Sequence, residues 1–205
     1  SLGSSTTYQI DLGDVDADGD LDLICGNLSS QSAILWLNDG AGTFTDSLQT
    51  LEMGTTWGVQ FGDIDNDGDL DIVFGINGGA NSVWMNDGAG NYSDSGQSLG
   101  NNNTWGIDLG DVDGDGDLDL MCGNWNSLDI LYLNNGSGTF TDSGQSFGSS
   151  NTSSVIFGDI DGDGDLDIIS GNYSSSEPNR IWANDGSGSF TNIIQSIGTG
   201  QTTSV

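Results

Sequence analysis

The chain has 205 residues, among them 31 Asp and Glu, a single Arg (Arg180), no Lys and no His, for a formal net charge of −30. Such a surface has nothing to neutralise a phosphate backbone or an anionic membrane, so nucleic acid is not an expected partner and membrane insertion is not expected either. One Pro and 34 Gly beside 34% hydrophobic residues fit a globular protein of short strands and tight turns rather than a disordered chain.

In chain order, the first predicted element is a strand at Thr6-Thr7-Tyr8-Gln9-Ile10 that runs into an acidic loop, Asp14 to Asp22. An apolar run, Leu23-Ile24-Cys25, leaves the loop as a second strand that reads as buried on both faces. A third strand follows at Ile34-Leu35-Trp36-Leu37. The block Asn38-Asp39-Gly40-Ala41-Gly42 then supplies turn residues for a hairpin into a fourth strand at Thr43-Phe44-Thr45. The same order recurs three more times. Gly-Asp-Val/Ile-Asp-x-Asp-Gly-Asp-Leu-Asp begins at Gly13, Gly62, Gly110 and Gly158, at spacings of 49, 48 and 48 residues.

The units run approximately over residues 6–53, 54–101, 102–150 and 151–200, and residues 201–205 start a fifth copy, since Gln201-Thr202-Thr203-Ser204-Val205 matches Asn151 to Val155. No segment carries a helical period, so the expected class is all-β. A repeated four-stranded unit of about 40–50 residues has the size of a propeller blade, and a blade buries its faces only by stacking on neighbours. The predicted architecture is therefore a β-propeller-type repeat of four four-stranded blades. A small ring, half of a larger ring and an open repeat array all satisfy it.

Carboxylates alternate with other residues along each acidic loop: Asp14, Asp16, Asp18, Asp20 and Asp22; Asp63, Asp65, Asp67, Asp69 and Asp71; Asp111, Asp113, Asp115, Asp117 and Asp119; Asp159, Asp161, Asp163, Asp165 and Asp167. These 20 of the 31 acidic residues account for most of the charge. Without a cation such crowding is repulsive. A hard cation that takes six to eight oxygens resolves it, and Ca²⁺ suits the loops better than Mg²⁺, which keeps its waters and demands stricter geometry. Four Ca²⁺ sites are predicted. They are not EF-hands, because the position of the bidentate Glu holds Cys25, Phe74, Cys122 or Ser170 and the loop runs into strand residues rather than a helix.

The nine-residue Asp loop between strands, with the Asn-Asp-Gly-x-Gly-x-Phe block after it, is similar to that of the FG-GAP/VCBS repeat family, the integrin-α-like calcium-binding β-propellers. The resemblance covers nearly the whole chain. It implies that loop positions 1, 3, 5 and 9 ligate by side chain (Asp14, Asp16, Asp18 and Asp22 in the first loop) and position 7 by its backbone carbonyl (Asp20). The same holds for Asp63, Asp65, Asp67 and Asp71 with Asp69, for Asp111, Asp113, Asp115 and Asp119 with Asp117, and for Asp159, Asp161, Asp163 and Asp167 with Asp165. The family usually closes rings of six to eight blades, whereas this chain holds four.

The resemblance also places the Asp loops and the Asn-Asp-Gly turns on one side, and leaves the other side rich in Asn, Ser and Gly with the aromatics Trp57, Trp105, Trp125 and Tyr173. Two readings are open for these four: a surface for sugar rings, whose C–H faces suit aromatic planes, or packing between units. Trp36, Trp84, Tyr132 and Trp182 lie mid-strand and read as core. Cys25 and Cys122 occupy equivalent slots in apolar runs and read as free core thiols, since a disulfide needs Cα atoms within about 7 Å. Six Asn-x-Ser/Thr sequons occur, at Asn27, Asn91, Asn102, Asn135, Asn151 and Asn172. Used as glycosylation sites, they belong on exposed loops outside the cell.

With no His, no Lys and no Ser/His/Asp set, and with its carboxylates claimed by the loops, the chain is not expected to be an enzyme. The expected function is a secreted or cell-surface calcium-binding module for adhesion or for recognition of a glycan or extracellular protein. The competing readings are a structural repeat that self-associates into filaments by strand exchange, and an accessory domain of a larger secreted enzyme.

Overall fold

A computed structural model describes residues 2–174, 177–197 and 201–204. The chain divides into two compact units, Ser1–Asn102 and Asn103–Val205. Each unit holds two copies of the repeat. Residues 198–200 of the fourth copy and Val205 of the fifth lie outside the described residues.

In the first unit, β1 (Thr7–Gly13), β2 (Asp22–Asn27), β3 (Ile34–Asn38) and β4 (Phe44–Asp46) form an antiparallel sheet in sequential order. β5 (Thr56–Gly62), β6 (Asp71–Asn86) and β7 (Tyr92–Asp94) build the second copy. Here one continuous element, β6, takes the place of the two middle strands expected from the sequence, carried through its bend by Gly78 at φ +81. In the second unit, β8 (Leu99–Gly110, starting in the last residues of the first unit), β9 (Asp119–Leu128), β10 (Ile130–Leu133) and β11 (Thr141–Asp142) pair in sequence. β12 (Ser149–Gly158), β13 (Asp167–Asn172), β14 (Asn179–Asn184) and β15 (Phe190–Ile197) do the same. The described residues contain strands and turns and no α-helix.

The second strand of every copy is the buried one. All six residues of β2, and the first six of β6 and β9, are buried, as their apolar runs require. Each unit builds a core across its two copies. In the first, Val15, Ile24, Leu35 and Leu51 of one copy close on Val59, Phe61, Ile72 and Phe74 of the next. In the second, Val112, Met121, Leu131 and Phe147 close on Val155, Ile168 and Trp182. Cys25 and Cys122 are buried free thiols.

Polar contacts stitch each pair of copies at matching positions. Asp11 accepts from the Phe61 N–H at 2.8 Å and Asp108 from the Phe157 N–H at 2.6 Å. Asn86 Nδ2 donates to the Val15 carbonyl at 2.8 Å, and Asn184 Nδ2 to that of Val112 at 2.7 Å. Gln49 and Gln145 bridge to the following hairpin through Gly90 and Gly188. The sequence shows these as recurring letters, and the structure shows that each recurrence is one side of a copy-to-copy contact.

Candidate metal sites

Each Asp loop is the tip of a hairpin between the first two strands of its copy. The ladder ends at Gly13↔Asp22, Gly62↔Asp71, Gly110↔Asp119 and Gly158↔Asp167, so loop position 9 is already the first residue of the second strand. That placement buries Asp22, Asp71, Asp119 and Asp167 to 1% exposure. Their oxygens are held by backbone donors. Asp71 accepts from Ile64 N at 3.0 Å and from Asn86 N at 2.8 Å, and Asp22, Asp119 and Asp167 accept from the equivalent pairs. The position 9 carboxylate thus fastens the loop to the end of the third strand. Burial pushes the carboxyls of Asp71 and Asp119 up to about 6, against the pull of those backbone bonds.

Loop position 1 closes the turn. Asp14 accepts from Asp18 N and Gly19 N at 3.1 and 3.0 Å, and Asp111 from Gly114 N and Gly116 N at 2.8 and 3.0 Å. The turn needs a left-handed residue at position 6, where Gly19, Gly68, Gly116 and Gly164 have φ between +95 and +100. Position 4 is left-handed as well, at Ala17, Asn66, Gly114 and Gly162, which the sequence does not reveal because Ala17 is an ordinary residue in a strained conformation.

The fold gathers three carboxylates in each loop, with ligand oxygens within 4.8 Å of one another: Asp14, Asp16 and Asp18; Asp63, Asp65 and Asp71; Asp111, Asp113 and Asp115; Asp159, Asp161 and Asp167. Asp16 Oδ1, Asp63 Oδ1 and Asp65 Oδ1 are buried with no hydrogen-bond donor. Burial first, and repulsion from neighbouring Asp second, raise the carboxyls of Asp16, Asp65, Asp113 and Asp161. A buried carboxylate oxygen without a donor, facing two others, is costly unless a cation supplies the missing partner. The all-oxygen donor set suits a hard divalent ion, so the residues present fit the metal expected from the sequence.

Asp67 and Asp22 stand outside the clusters of their own loops, as do Asp119 and Asp163. So do the position 7 residues Asp20, Asp69, Asp117 and Asp165, whose carboxylates rest against Gly40, Gly88, Gly136 and Gly186 of the Asn-Asp-Gly turn (Asn-Asn-Gly in the third copy). A Cβ at any of these four glycines would collide with that carboxylate, and all four have φ between +72 and +78. The turn and the loop are therefore one assembly. Gly88→Ala is expected to lower stability by about 2 kcal/mol or more, from left-handed strain and displacement of Asp69, measurable as a shifted denaturant midpoint.

The four aromatics singled out from the sequence are partly buried and lie against other rings. Trp57 sits on Tyr8 with centroids 4.5 Å apart in the first unit. In the second, Trp105 stacks on Trp125 at 4.2 Å and 18°, and Trp125 meets Tyr173 at 5.6 Å. Tyr8, Trp57 and Trp105 each occupy the extra residue of a β-bulge, where the register shifts between Thr7 and Gln9, Thr56 and Gly58, and Thr104 and Gly106. A bulge re-aims its side chain, and this one recurs because the Thr-aromatic pair recurs. Of the sequons, Asn27 and Asn172 are buried and bonded through both amide atoms, to Thr7 and Ser32 and to Thr152 and Pro178, so they are not open to a glycan. Asn91 and Asn135 are exposed.

The sequence matches the FG-GAP-like repeat three times, over residues 14–74, 70–122 and 111–170. The chain belongs to the FG-GAP-like repeat family. No curated protein sequence matches it. Among solved structures, its FG-GAP fold is similar to that of an Agrocybe aegerita lectin described as specifically recognising non-reducing terminal N-acetylglucosamine. The identity is 22%, the match covers 92% of this chain and 51% of that one, and the TM-score is 0.57. It is also similar to BBS1N, solved in complex with ARL6DN (9%; 92% and 56%; TM-score 0.59), and to the V. cholerae biofilm matrix protein Bap1 (18%; 94% and 29%; TM-score 0.53). At these identities the likeness shows the fold alone. The chain spans about half the length of the first two of these structures, and less of the third.

Proposed function

We propose that this FG-GAP chain is a calcium-stabilised recognition module, working outside the cell, whose ions hold the scaffold and whose partner is a glycan. The observation that carries the calcium half is the set of buried carboxylate oxygens without donors at Asp16, Asp63 and Asp65, each inside a three-carboxylate cluster. A folded chain of net charge −30 needs those charges offset, and calcium-rich extracellular surroundings supply the ion for sites of modest affinity.

The glycan half rests on chemistry and analogy together. The recurring aromatics Trp57 and Trp105 sit among Asn-rich strand ends, a pairing of ring faces and amides that suits sugar C–H groups and hydroxyls. The lectin that shares the fold, described as recognising N-acetylglucosamine, points the same way. Catalysis has no support in the residues: the carboxylates that could act as acid and base are committed to the loops or to backbone bonds.

The test is a glycan array probed in Ca²⁺, repeated with Trp105→Ala. Saturable binding to a defined glycan class that weakens at least about tenfold in the variant is the expected result. A blank array in Ca²⁺ contradicts the glycan reading and leaves a protein partner.

A further inference from the structure

In the first unit one residue, Asn86 at the end of β6, bonds to both metal loops. Its N–H donates to Asp71 Oδ1 at 2.8 Å, and Asp71 belongs to the second-loop cluster. Its side-chain amide donates to two carbonyls, that of Leu70 in its own loop at 3.2 Å and that of Val15 in the first loop at 2.8 Å. Val15 lies between Asp14 and Asp16, two carboxylates of the first-loop cluster. Asn86 is buried, and its Oδ1 accepts from Gly88 N and Gly90 N at 3.2 and 3.1 Å. Those two bonds seat the turn on the first loop, where a Cβ at Gly90 would stand 3.4 Å from Asp16 Cβ.

The second unit repeats the arrangement. The N–H of Asn184, also buried, donates to Asp167 Oδ1 at 2.9 Å, and Asp167 belongs to the fourth-loop cluster. Its amide donates to Leu166 O at 3.0 Å and to Val112 O at 2.7 Å, between Asp111 and Asp113 of the third-loop cluster. A Cβ at Gly188 would stand 3.1 Å from that of Asp113.

A buried amide with both polar atoms bonded has one favoured orientation, so it moves only with its partners. Asn86 has the second-loop Asp71 on one side and the Val15–Asp16 peptide on the other. Without a cation, Asp71 and its two neighbouring carboxylates repel one another. Ligation holds Asp71 in place, and with it the Asn86 amide that orients the Val15–Asp16 peptide. Asp16 Oδ1 is a buried oxygen without a donor, so the first loop binds more tightly when Asp16 is already set in place. Resting on the calcium reading above, we propose that the two metal loops of each unit fill cooperatively. Asn86 couples the first loop to the second, and Asn184 couples the third to the fourth. Such coupling is reciprocal, so either loop of a pair strengthens the other by the same factor.

The experiment is Ca²⁺ titration calorimetry of the EDTA-stripped 205-residue protein and its variants. Asp63→Asn with Asp65→Asn disables the second loop. Three ions are then expected, one bound about tenfold more weakly than in the wild type and two unchanged, the second unit serving as internal control. Disabling the first loop through Asp14→Asn with Asp16→Asn should weaken the second loop equally. In an Asn86→Ala background, disabling the second loop should leave the first loop's constant where Asn86→Ala alone puts it. Three ions at wild-type constants overturn the proposal. So does a tenfold loss that persists in Asn86→Ala, because coupling through folding of the whole unit would survive that change. A second measure keeps every loop carboxylate. The wild-type Hill coefficient should lie between 1 and 2 and fall to 1 in Asn86→Ala with Asn184→Ala, and a wild-type value of 1 overturns the proposal even where a disabled variant fails to fold. A wild type that takes up no Ca²⁺ sinks the calcium reading and the coupling together, whereas four ions bound independently sink the coupling alone.

Discussion

Stripping the protein with EDTA is expected to lower its melting temperature by roughly 20 °C or more, and returning Ca²⁺ restores it. The size follows from linkage. An ion held at a dissociation constant on the order of 10⁻⁴ M and supplied at a hundredfold excess stabilises the folded state by about 2.7 kcal/mol. Each compact unit has two Asp loops, so it gains about 5 kcal/mol. In a unit of about 100 residues each kcal/mol moves the midpoint by about 4–8 °C. Mg²⁺ at the same concentration should restore far less, because it resists losing its waters to a loop that offers a flexible set of carboxylates. A melt that EDTA leaves unchanged would remove the scaffold role from the ions.

The second large effect is at Asp129, a carboxylate outside the loops. It is buried to 1% exposure between β9 and β12 and accepts from Asn124 N at 2.7 Å. Its other oxygen accepts from Thr152 Oγ1 at 2.8 Å. The same hydroxyl lies 3.0 Å from Asn172 Oδ1, in the place where Asn27 and Asn124 accept from Thr7 and Thr104. The amide of Asn172 is held in that orientation because its Nδ2 donates to Pro178 O. Burial pushes the Asp129 carboxyl up to about 7, opposed by its hydrogen bonds and, more weakly, by Arg180.

The raised value fixes the sign. The folded state holds a proton that the unfolded chain releases near pH 4, so stability falls as the pH rises from about 4 to about 7 and stays low above that. The loss across that window is at most about 4 kcal/mol. The equivalent positions in the second and fourth copies are Asn81 and Asn179, which accept the same backbone bond. Asp129→Asn should therefore raise the melting temperature at pH 8 and change it little at pH 4.5, compared in excess Ca²⁺ at both. Equal differences at the two pH values would show that Asp129 is ionised in the folded protein.

The fold was legible from the repeat itself. Apolar runs such as Leu23-Ile24-Cys25, an Asp loop before each and an Asn-Asp-Gly or Asn-Asn-Gly turn after the third strand fix four hairpin-linked strands, because each signal acts over a few residues. The continuous β6 was not legible, since nothing near Gly78 separates a bend within one element from a break between two. At the sites, the Asp residues were visible as alternation. The brace of Asp20, Asp69, Asp117 and Asp165 against the turn glycines was not, because it joins residues about 20 apart whose contact exists only after the sheet forms. The stack of Trp105, Trp125 and Tyr173 was hidden for the same reason, as it depends on the β-bulge and on the next copy. The 56% exposure of Ile10 was concealed most deeply, since its equivalent Ile107 carries the same letter and is 6% exposed.

The central claim is that the four Asp loops are calcium sites, and titration calorimetry of EDTA-stripped protein with Ca²⁺ tests it most directly. Four ions per chain are expected, falling to three in Asp63→Asn, which removes one carboxylate from the second cluster and leaves the other three loops intact. A chain that takes up no Ca²⁺, or an Asp63→Asn variant with an unaltered count, contradicts it.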